Sequence, residues 1–463
     1  MNARMSVAAL LAVVVLTAGC SGGDGKKGSG NAGTSLTFWT AEDNPERVKA
    51  TQAIIDRFER QSGIKVKLVA VGEDQLQPQV TSASAAGSLP DVLGALPLGF
   101  VHSLATDGIV DPDAAADVID SLGRQTFSKR GLSLVQENGE PVAVPSDSWT
   151  QLLVYRKDLF DKAGLVAPTT FAAIQTAAAI LNGEGMAGIA AATKPDSLFT
   201  QQTFEYLALA NNCQLTDQRG NVTLTSKACV DTFKFYIDLI HKASVMAEQD
   251  ANTTRAAYLG GRAAMVIWSS FILDELAGLR NDVPPSCPQC GGDRSFLARN
   301  SGVVTAIKGP DGTEPSQFGE VTAFTITKGA NQDAAKRFVE FMMSDGYVDW
   351  LALAPEGKFP IRTGTIDQPG KFTAAWNQLR TGVDRKEPLS KVYPPDVLDV
   401  LRRSTETMNR WGFPQGQGRL AGAQLEAPPI PEALAAALDG RLDAVTAADQ
   451  AQADMEKIAR SVK

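Results

Sequence analysis

The stretch from Leu36 to Leu68 constrains the fold more than any other part of the chain. Leu36 to Ala41 is an apolar run of strand length, and Pro45 to Arg60 then repeats apolar residues at helical spacing, with Val48, Ile54, Ile55 and Phe58 on one face. Ile64, Val66 and Leu68 alternate with Lys65 and Lys67 as a second strand. Strand–helix–strand units build parallel sheets whose binding crevices open at the carboxyl ends of the strands. Amphipathic faces recur at Val230, Phe233, Ile237 and Ile240, and at Ala334, Ala335, Phe338 and Met342, while the tail after Pro431 reads as an Ala-rich helix. A chain of 463 residues outgrows the ~250–300 at which a single core stops growing, so an α/β protein of two domains is expected.

The chain starts with Arg4, an apolar run from Val7 to Leu16 and then Thr17-Ala18-Gly19-Cys20. About ten apolar residues fall short of the ~20 that span a bilayer, so residues 1–19 read as a signal peptide. Cys20 resembles the cysteine of a bacterial lipobox, at which cleavage exposes a thiol for diacylglycerol, although Thr17 stands where that pattern prefers leucine. Residues 20–34, rich in Gly, Ser and Lys, read as a flexible tether. The expected location is the extracellular face of the cell membrane, held by the lipid anchor. The formal net charge of −8 loses only Arg4 with the signal peptide, giving −9. An acidic surface of this kind excludes a phosphate-backbone partner, so no nucleic acid is expected.

Export makes disulfides the default reading of Cys213, Cys229, Cys287 and Cys290. Pairing Cys213 with Cys229 closes a loop of about fifteen residues, worth on the order of 3 kcal/mol in chain entropy. Cys287-Pro288-Gln289-Cys290 lies in a Pro- and Gly-rich loop and reads as a local structural disulfide. A redox pair needs its first thiol at a helix N-terminus, and zinc needs two further ligands, whereas His102 and His241 are the only histidines. No metal and no cofactor are expected.

Further motifs occur in a fixed order: Leu36-Thr37-Phe38-Trp39-Thr40; Ile54 to Glu59; Ser62-Gly63-Ile64-Lys65-Val66; Ala85 to Val92 with its Gly87 and Pro90-Asp91; and Asp107-Gly108-Ile109-Val110-Asp111-Pro112. Val144-Pro145, Leu153 to Leu165, Gly261-Arg262-Ala263-Ala264-Met265 leading to Trp268-Ser269-Ser270, Gly319 to Phe324, Asp333 to Phe338, and Gly357 to Arg362 follow. In that order they resemble the family-1 extracellular solute-binding proteins of ABC transporters, the group that contains maltose-binding protein. Thr170-Phe171, where the family often has Thr-Trp, and the Cys287/Cys290 pair depart from its pattern. The resemblance implies a periplasmic-binding-protein-like fold: two discontinuous α/β lobes joined by a hinge, with a ligand cleft between them. Lobe 1 is expected at 35–146 and 296–345, and lobe 2 at 147–295 and 346–463. It further implies a monomeric receptor that performs no chemistry, captures a small polar solute, a carbohydrate and most readily an oligosaccharide, and hands it to membrane permease subunits.

Residues that the resemblance places on the cleft rim are the candidate contacts. Glu42, Asp43 and Asn44 follow the first strand, although capping of the next helix explains them as well. Asp147 and Trp149 flank Ser148 at the first crossing, and Phe204 sits on a helix beside Gln201 and Gln202. Trp268 and Ser269 offer an aromatic face beside hydroxyls. Gly319 and Glu320 occupy a loop that allows close backbone approach, and Arg362 follows Pro360, where a guanidinium could meet ligand. Asp91 reads as a structural cap. A glycerol-phosphate-type ligand is the alternative, since Arg362 suits a phosphate equally well. A lipid-anchored hydrolase is less favoured: the chain has no Gly-x-Ser-x-Gly elbow and no His-Glu-x-x-His, although paired carboxylates could hide among its 52 acidic residues.

Overall fold

The computed structural model describes residues 35–245, 248–424 and 428–462. The signal peptide, the tether and Cys20 lie outside the described residues. The opening unit forms as its pattern dictates: β1 (Ser35–Thr40), α1 (Pro45–Ser62) and β2 (Lys65–Ala70). Asn44 starts α1 by accepting the backbone N–H groups of Glu46 at 3.1 Å and Arg47 at 3.4 Å, and Pro45 takes a first-turn position that needs no N–H. Gly63 ends the helix at φ 74°, a left-handed turn that glycine makes without a Cβ clash. β3 (Val92–Pro97) and α2 (Leu98–Thr106) lead to β4 (Val144–Arg156). Helices α3 (Leu198–Ala210), α4 (Lys227–Ala243) and α5 (Ala251–Leu259) precede β5 (Met265–Ser269) and the short α6 (Ile272–Leu276). After β6 (Ser301–Val304), β7 (Gln317–Ile326), α7 (Gln332–Met342) and β8 (Phe359–Pro360), the chain closes with α8 (Pro429–Leu438) and α9 (Ala444–Ser461).

The main sheet runs β8-β4-β7-β3-β1-β2, with β5 and β6 on the far end of β4. β1 pairs in parallel with both β2 and β3, whereas β7 runs antiparallel to both β3 and β4. β4 and β7 are the long strands, and each contributes to two hydrophobic cores: Val144, Leu152, Val154 and Phe324 lie in the first, Leu153 and Phe318 in the second. Each core draws on segments far apart in the chain, so the two α/β lobes are discontinuous in sequence.

The first core is built on Phe38, whose ring lies 5.1 Å from that of Phe338 on α7 and 6.0 Å from that of Phe324. A Cβ on Gly94 would stand 2.7 Å from both the Phe38 and Phe324 rings, so β3 passes between them as glycine. Tyr347, Trp350, Phe359 and Trp376 also belong to this core. Asp91 is structural as read: its two carboxylate oxygens accept the backbone N–H groups of Thr37 and Asn331, each at 2.7 Å. The second core gathers α3, α4, α8 and α9 around Phe204, Tyr236 and Trp411. Both expected disulfides are present, Cys213–Cys229 joining the segment after α3 to α4 and Cys287–Cys290 burying its two sulfurs beneath a loop whose Pro288, Gln289, Gly291 and Gly292 are exposed. Among the described residues no helix is long and apolar enough to cross a membrane, and no group of three or more His, Cys, Asp or Glu side chains could hold a metal ion.

Candidate ligand site

The strands that cross between the cores carry an unusual load of buried polar side chains. Ionic clusters account for part of it. Asp147 on β4 is 1 % exposed and spends its lone pairs internally: Oδ1 accepts from Ser146 Oγ at 2.7 Å and Trp350 Nε1 at 2.6 Å, and Oδ2 from Thr322 Oγ1 at 2.7 Å and Lys358 Nζ at 3.3 Å. Lys358 also bonds Glu42 Oε1 at 2.6 Å, and Glu42 Oε2 accepts from Arg47 at 3.1 Å. Burial alone would raise the Glu42 carboxyl, but Lys358 and Arg47 outweigh it and hold the group at about 2. Two acids therefore balance two cations where the loop after β1 meets β4.

The second cluster is unbalanced. Arg410 donates through Nε to Glu205 of α3 at 3.0 Å and through Nη1 to Glu320 of β7. The other Glu320 oxygen accepts the Leu98 N–H that opens α2, at 2.9 Å. One arginine thus ties α3, β7 and α2 together. Glu205 Oε1 also accepts the Trp411 N–H at 2.7 Å, while Oε2 has no partner, and burial pushes this carboxyl up despite Arg410.

Next to these clusters lies a set of polar atoms that no group among the described residues satisfies. Ser148 Oγ and both amide atoms of Gln151 on β4, both amide atoms of Gln201 on α3, and Ser270 Oγ just after β5 are buried without a hydrogen-bond partner. The pairing sets Gln151 opposite Ser269 across the β4–β5 ladder, and the Ser270 N–H bonds the Thr150 carbonyl at 2.8 Å, whereas Ser148, three residues before Gln151 on the same strand, points to the other face of the sheet. α3 packs on β4 and β7, and Phe199, two residues before Gln201, has its ring 5.9 Å from that of Trp268. Aromatic faces frame the group. Trp149 and Trp268 are half-buried, and the Trp149 ring lies 5.6 Å from Phe318 and 6.5 Å from Phe271. Phe271 sits beneath the Arg47 guanidinium at 5.8 Å, and its ring leaves no room for a Cβ on Gly357. Native interiors hydrogen-bond nearly all their buried polar groups, so a cluster left open beside half-buried tryptophans is the arrangement of a site built for a polar solute.

The structure sorts the expected contacts accordingly. Trp149, Trp268 and Ser269 border the cluster, with Trp268 held by an Nε1–H bond to the Ala251 carbonyl at 2.9 Å. Glu42, Asp147 and Glu320 surround it as ion-pair members. Asn44 caps α1, and Asp43 is exposed. Phe204 is enclosed by Phe233, Tyr236 and Trp411 in the second core. Gly319 allows close approach to the Met408 side chain, which a Cβ would meet at 2.4 Å. Arg362 is 3 % exposed and spends its guanidinium on Thr126 Oγ1 and the carbonyls of Met343 and Leu122, leaving nothing for a phosphate. Gln151 and Gln201 were not read as contacts. Gln151 stands directly before Leu152-Leu153-Val154, and an amide opening an apolar run is the signal that could have found it. A surface groove of about 650 Å³ along Phe171, Phe235 and Lys308 contains no unpartnered buried polar atom.

Residues 42–349 match the family model described as bacterial extracellular solute-binding protein. The chain is 28% identical over 375 residues, 79% of its length and 81% of the relative's, to the putative ABC transporter periplasmic-binding protein YcjN of Escherichia coli strain K12. It superposes with a TM-score of 0.68 and 20% identity on the GacH receptor of Streptomyces glaucescens, whose structures include complexes with acarbose, covering 93% of this chain and 99% of that one. Maltose-bound MalE3 of T. maritima gives the same TM-score at 19% identity, covering 92% of this chain and 100% of that one. These solved relatives share the two-lobed fold of maltose-binding-protein-like receptors.

Proposed function

Because the chain belongs to the bacterial extracellular solute-binding proteins, we propose that it is the lipid-anchored receptor of an ABC importer, which closes its lobes on a carbohydrate, an oligosaccharide, and presents it to the permease subunits. The family and the fold are those of substrate-binding proteins rather than enzymes. The observation that carries the ligand class is the unpartnered set of Gln151, Gln201 and Ser270 beside Trp149 and Trp268. Amides and hydroxyls both donate and accept, as sugar hydroxyls do, and indole faces suit the apolar C–H faces of a pyranose. YcjN-like and GacH-like ancestry supports the same reading, since GacH is described with acarbose and MalE3 with maltose. A phosphate ligand loses its main support, because Arg362, Lys358 and Arg410 are all engaged by protein oxygens.

Anchoring at Cys20, on the outer face of the membrane, completes the proposal, and a monomer suffices for it. Thermal-shift screening of the purified protein against mono- and oligosaccharides, glycerol phosphates and amino acids tests the ligand class. A ligand at a hundredfold its Kd stabilises the folded state by about 2.7 kcal/mol. Stabilisation by saccharides alone is the expected result. A shift with glycerol phosphates and none with saccharides overturns the reading.

A further inference from the structure

One side chain at the edge of the site is not explained by a neutral sugar. Asp274 on α6 is 1 % exposed, yet its carboxylate makes no hydrogen bond and no ion pair among the described residues, and its Oδ1 atom is sealed from solvent without a partner. It lies one turn beyond Ser270, whose hydroxyl is also unpartnered, and three residues after Phe271, the ring set against Trp149 and Gly357. Its surroundings are acidic. Glu356, 4 % exposed, lies within electrostatic reach and receives only the Thr381 hydroxyl. Glu275 is taken up by Arg255, and its Oε2 atom is unpartnered. Arg280 is spent bidentately on Asp282 and Arg47 on Glu42, while Tyr393 gives its hydroxyl to the Leu273 carbonyl. Around Asp274 the carboxyls therefore outnumber the cations free to answer them. Burial first, and then Glu356, push Asp274 up to about 8, with Glu275 adding to the rise and Arg280 and Arg47 opposing it.

We propose that the saccharide this receptor takes carries a protonated amine, and that Asp274 is the group that receives it, with Ser270 and Gln151 holding the neighbouring hydroxyls. The inference rests on the carbohydrate reading and adds the charge of the ligand to it. An ammonium group fits because it supplies both the N–H donors and the positive charge that the Asp274 carboxylate lacks. Binding then carries a proton balance: at pH 7 the buried carboxyl holds a proton, and an arriving ammonium ionises it and sends that proton to the buffer.

The test is calorimetric titration of the full-length protein at about pH 5.5, where the amines of chito-oligosaccharides are protonated and Asp274 still holds its proton, with chito-oligosaccharides bearing free amines and with their N-acetylated counterparts, in two buffers of different ionisation enthalpy. Tighter binding of the amine form by about tenfold or more is expected, with an enthalpy that differs between buffers as released protons require. Asp274→Asn should abolish both the preference and the buffer dependence while retaining the affinity for the N-acetylated form. The buffer comparison on the unsubstituted protein stands even if that variant does not fold. Equal or weaker binding of the amine form with buffer-independent enthalpy overturns the inference and leaves the carbohydrate reading intact. Failure of every saccharide, neutral or cationic, overturns both.

Discussion

Replacing Arg410 by methionine removes the cation shared by Glu205 and Glu320 while keeping most of the buried volume over the Phe318 ring, 4.6 Å from the guanidinium. Three elements are affected at once, since Glu205 lies on α3, Glu320 on β7, and the second Glu320 oxygen caps α2 at Leu98. Both carboxylates are more than nine-tenths buried, so removing their partner leaves charge in a low-dielectric interior, a loss of about 3–5 kcal/mol for a buried pair broken from one side. The sign of the pH dependence follows. Burial already raises the Glu205 carboxyl, and without the opposing Arg410 it binds its proton more tightly still in the folded than in the unfolded protein, so folded stability is greatest below the ordinary glutamate range and is lost as pH rises through the raised value. The deficit relative to the unsubstituted protein should therefore be larger at pH 8 than at pH 5. Urea denaturation followed by tryptophan fluorescence measures it, and adding Glu205→Gln and Glu320→Gln to the variant should recover most of the loss, because glutamine still accepts the Leu98 and Trp411 N–H bonds. A loss under about 1 kcal/mol, or one that does not change between the two pH values, refutes the reasoning.

Gln151→Leu or Gln201→Leu should raise unfolding stability by about 1–2 kcal/mol, since each replaces an unsatisfied buried amide, and should abolish saccharide binding in the same calorimetric assay. Trp268→Ala should weaken saccharide binding by about tenfold with little loss of stability. Phe204→Ala should do the opposite, costing about 3–5 kcal/mol of stability through its cavity in the second core, with affinity retained in whatever fraction stays folded. Replacing Cys213 and Cys229 together by serine should cost about 3 kcal/mol for a separation of 16 residues, more than the same change at Cys287 and Cys290, separated by 3, as read from denaturation midpoints.

The fold was legible where periodicity and punctuation agreed. The Leu36–Leu68 unit, the Asn44 cap, the Gly63 stop and both disulfides could be read from residue type and spacing because each depends on neighbours in sequence. Site residues were legible only as segments. Asp147 and Glu320 were read as ligand contacts from their place in the family order, but their partners Lys358 and Arg410 lie 211 and 90 residues away, and only the folded strands reveal that these carboxylates are already satisfied. Arg362 misled for the same reason: its acceptors are backbone carbonyls at Leu122 and Met343, and backbone atoms leave no mark in a sequence. Conversely, Gln151 and Gln201 matter because nothing in the protein bonds them, a property that no single residue can display.

Those unpartnered atoms bear on how a receptor of this kind avoids delivering nothing. Enclosing an amide or hydroxyl without a partner costs about 1–3 kcal/mol each, and Gln151, Gln201 and Ser270 are enclosed where β4, β5 and α3 meet. Lobe opening would return these groups to water, so without a ligand the enclosed arrangement is penalised by several kcal/mol relative to the open one. A saccharide that bonds the same groups removes that penalty only when the lobes are closed around it, which is the differential affinity that a population shift requires. Filling the site with leucines should therefore favour closure without ligand. Small-angle scattering of the Gln151→Leu/Gln201→Leu double variant would show it as a radius of gyration that no longer falls when saccharide is added and matches the liganded value of the unsubstituted protein. A radius that stays at the unliganded value would separate closure from the satisfaction of these side chains.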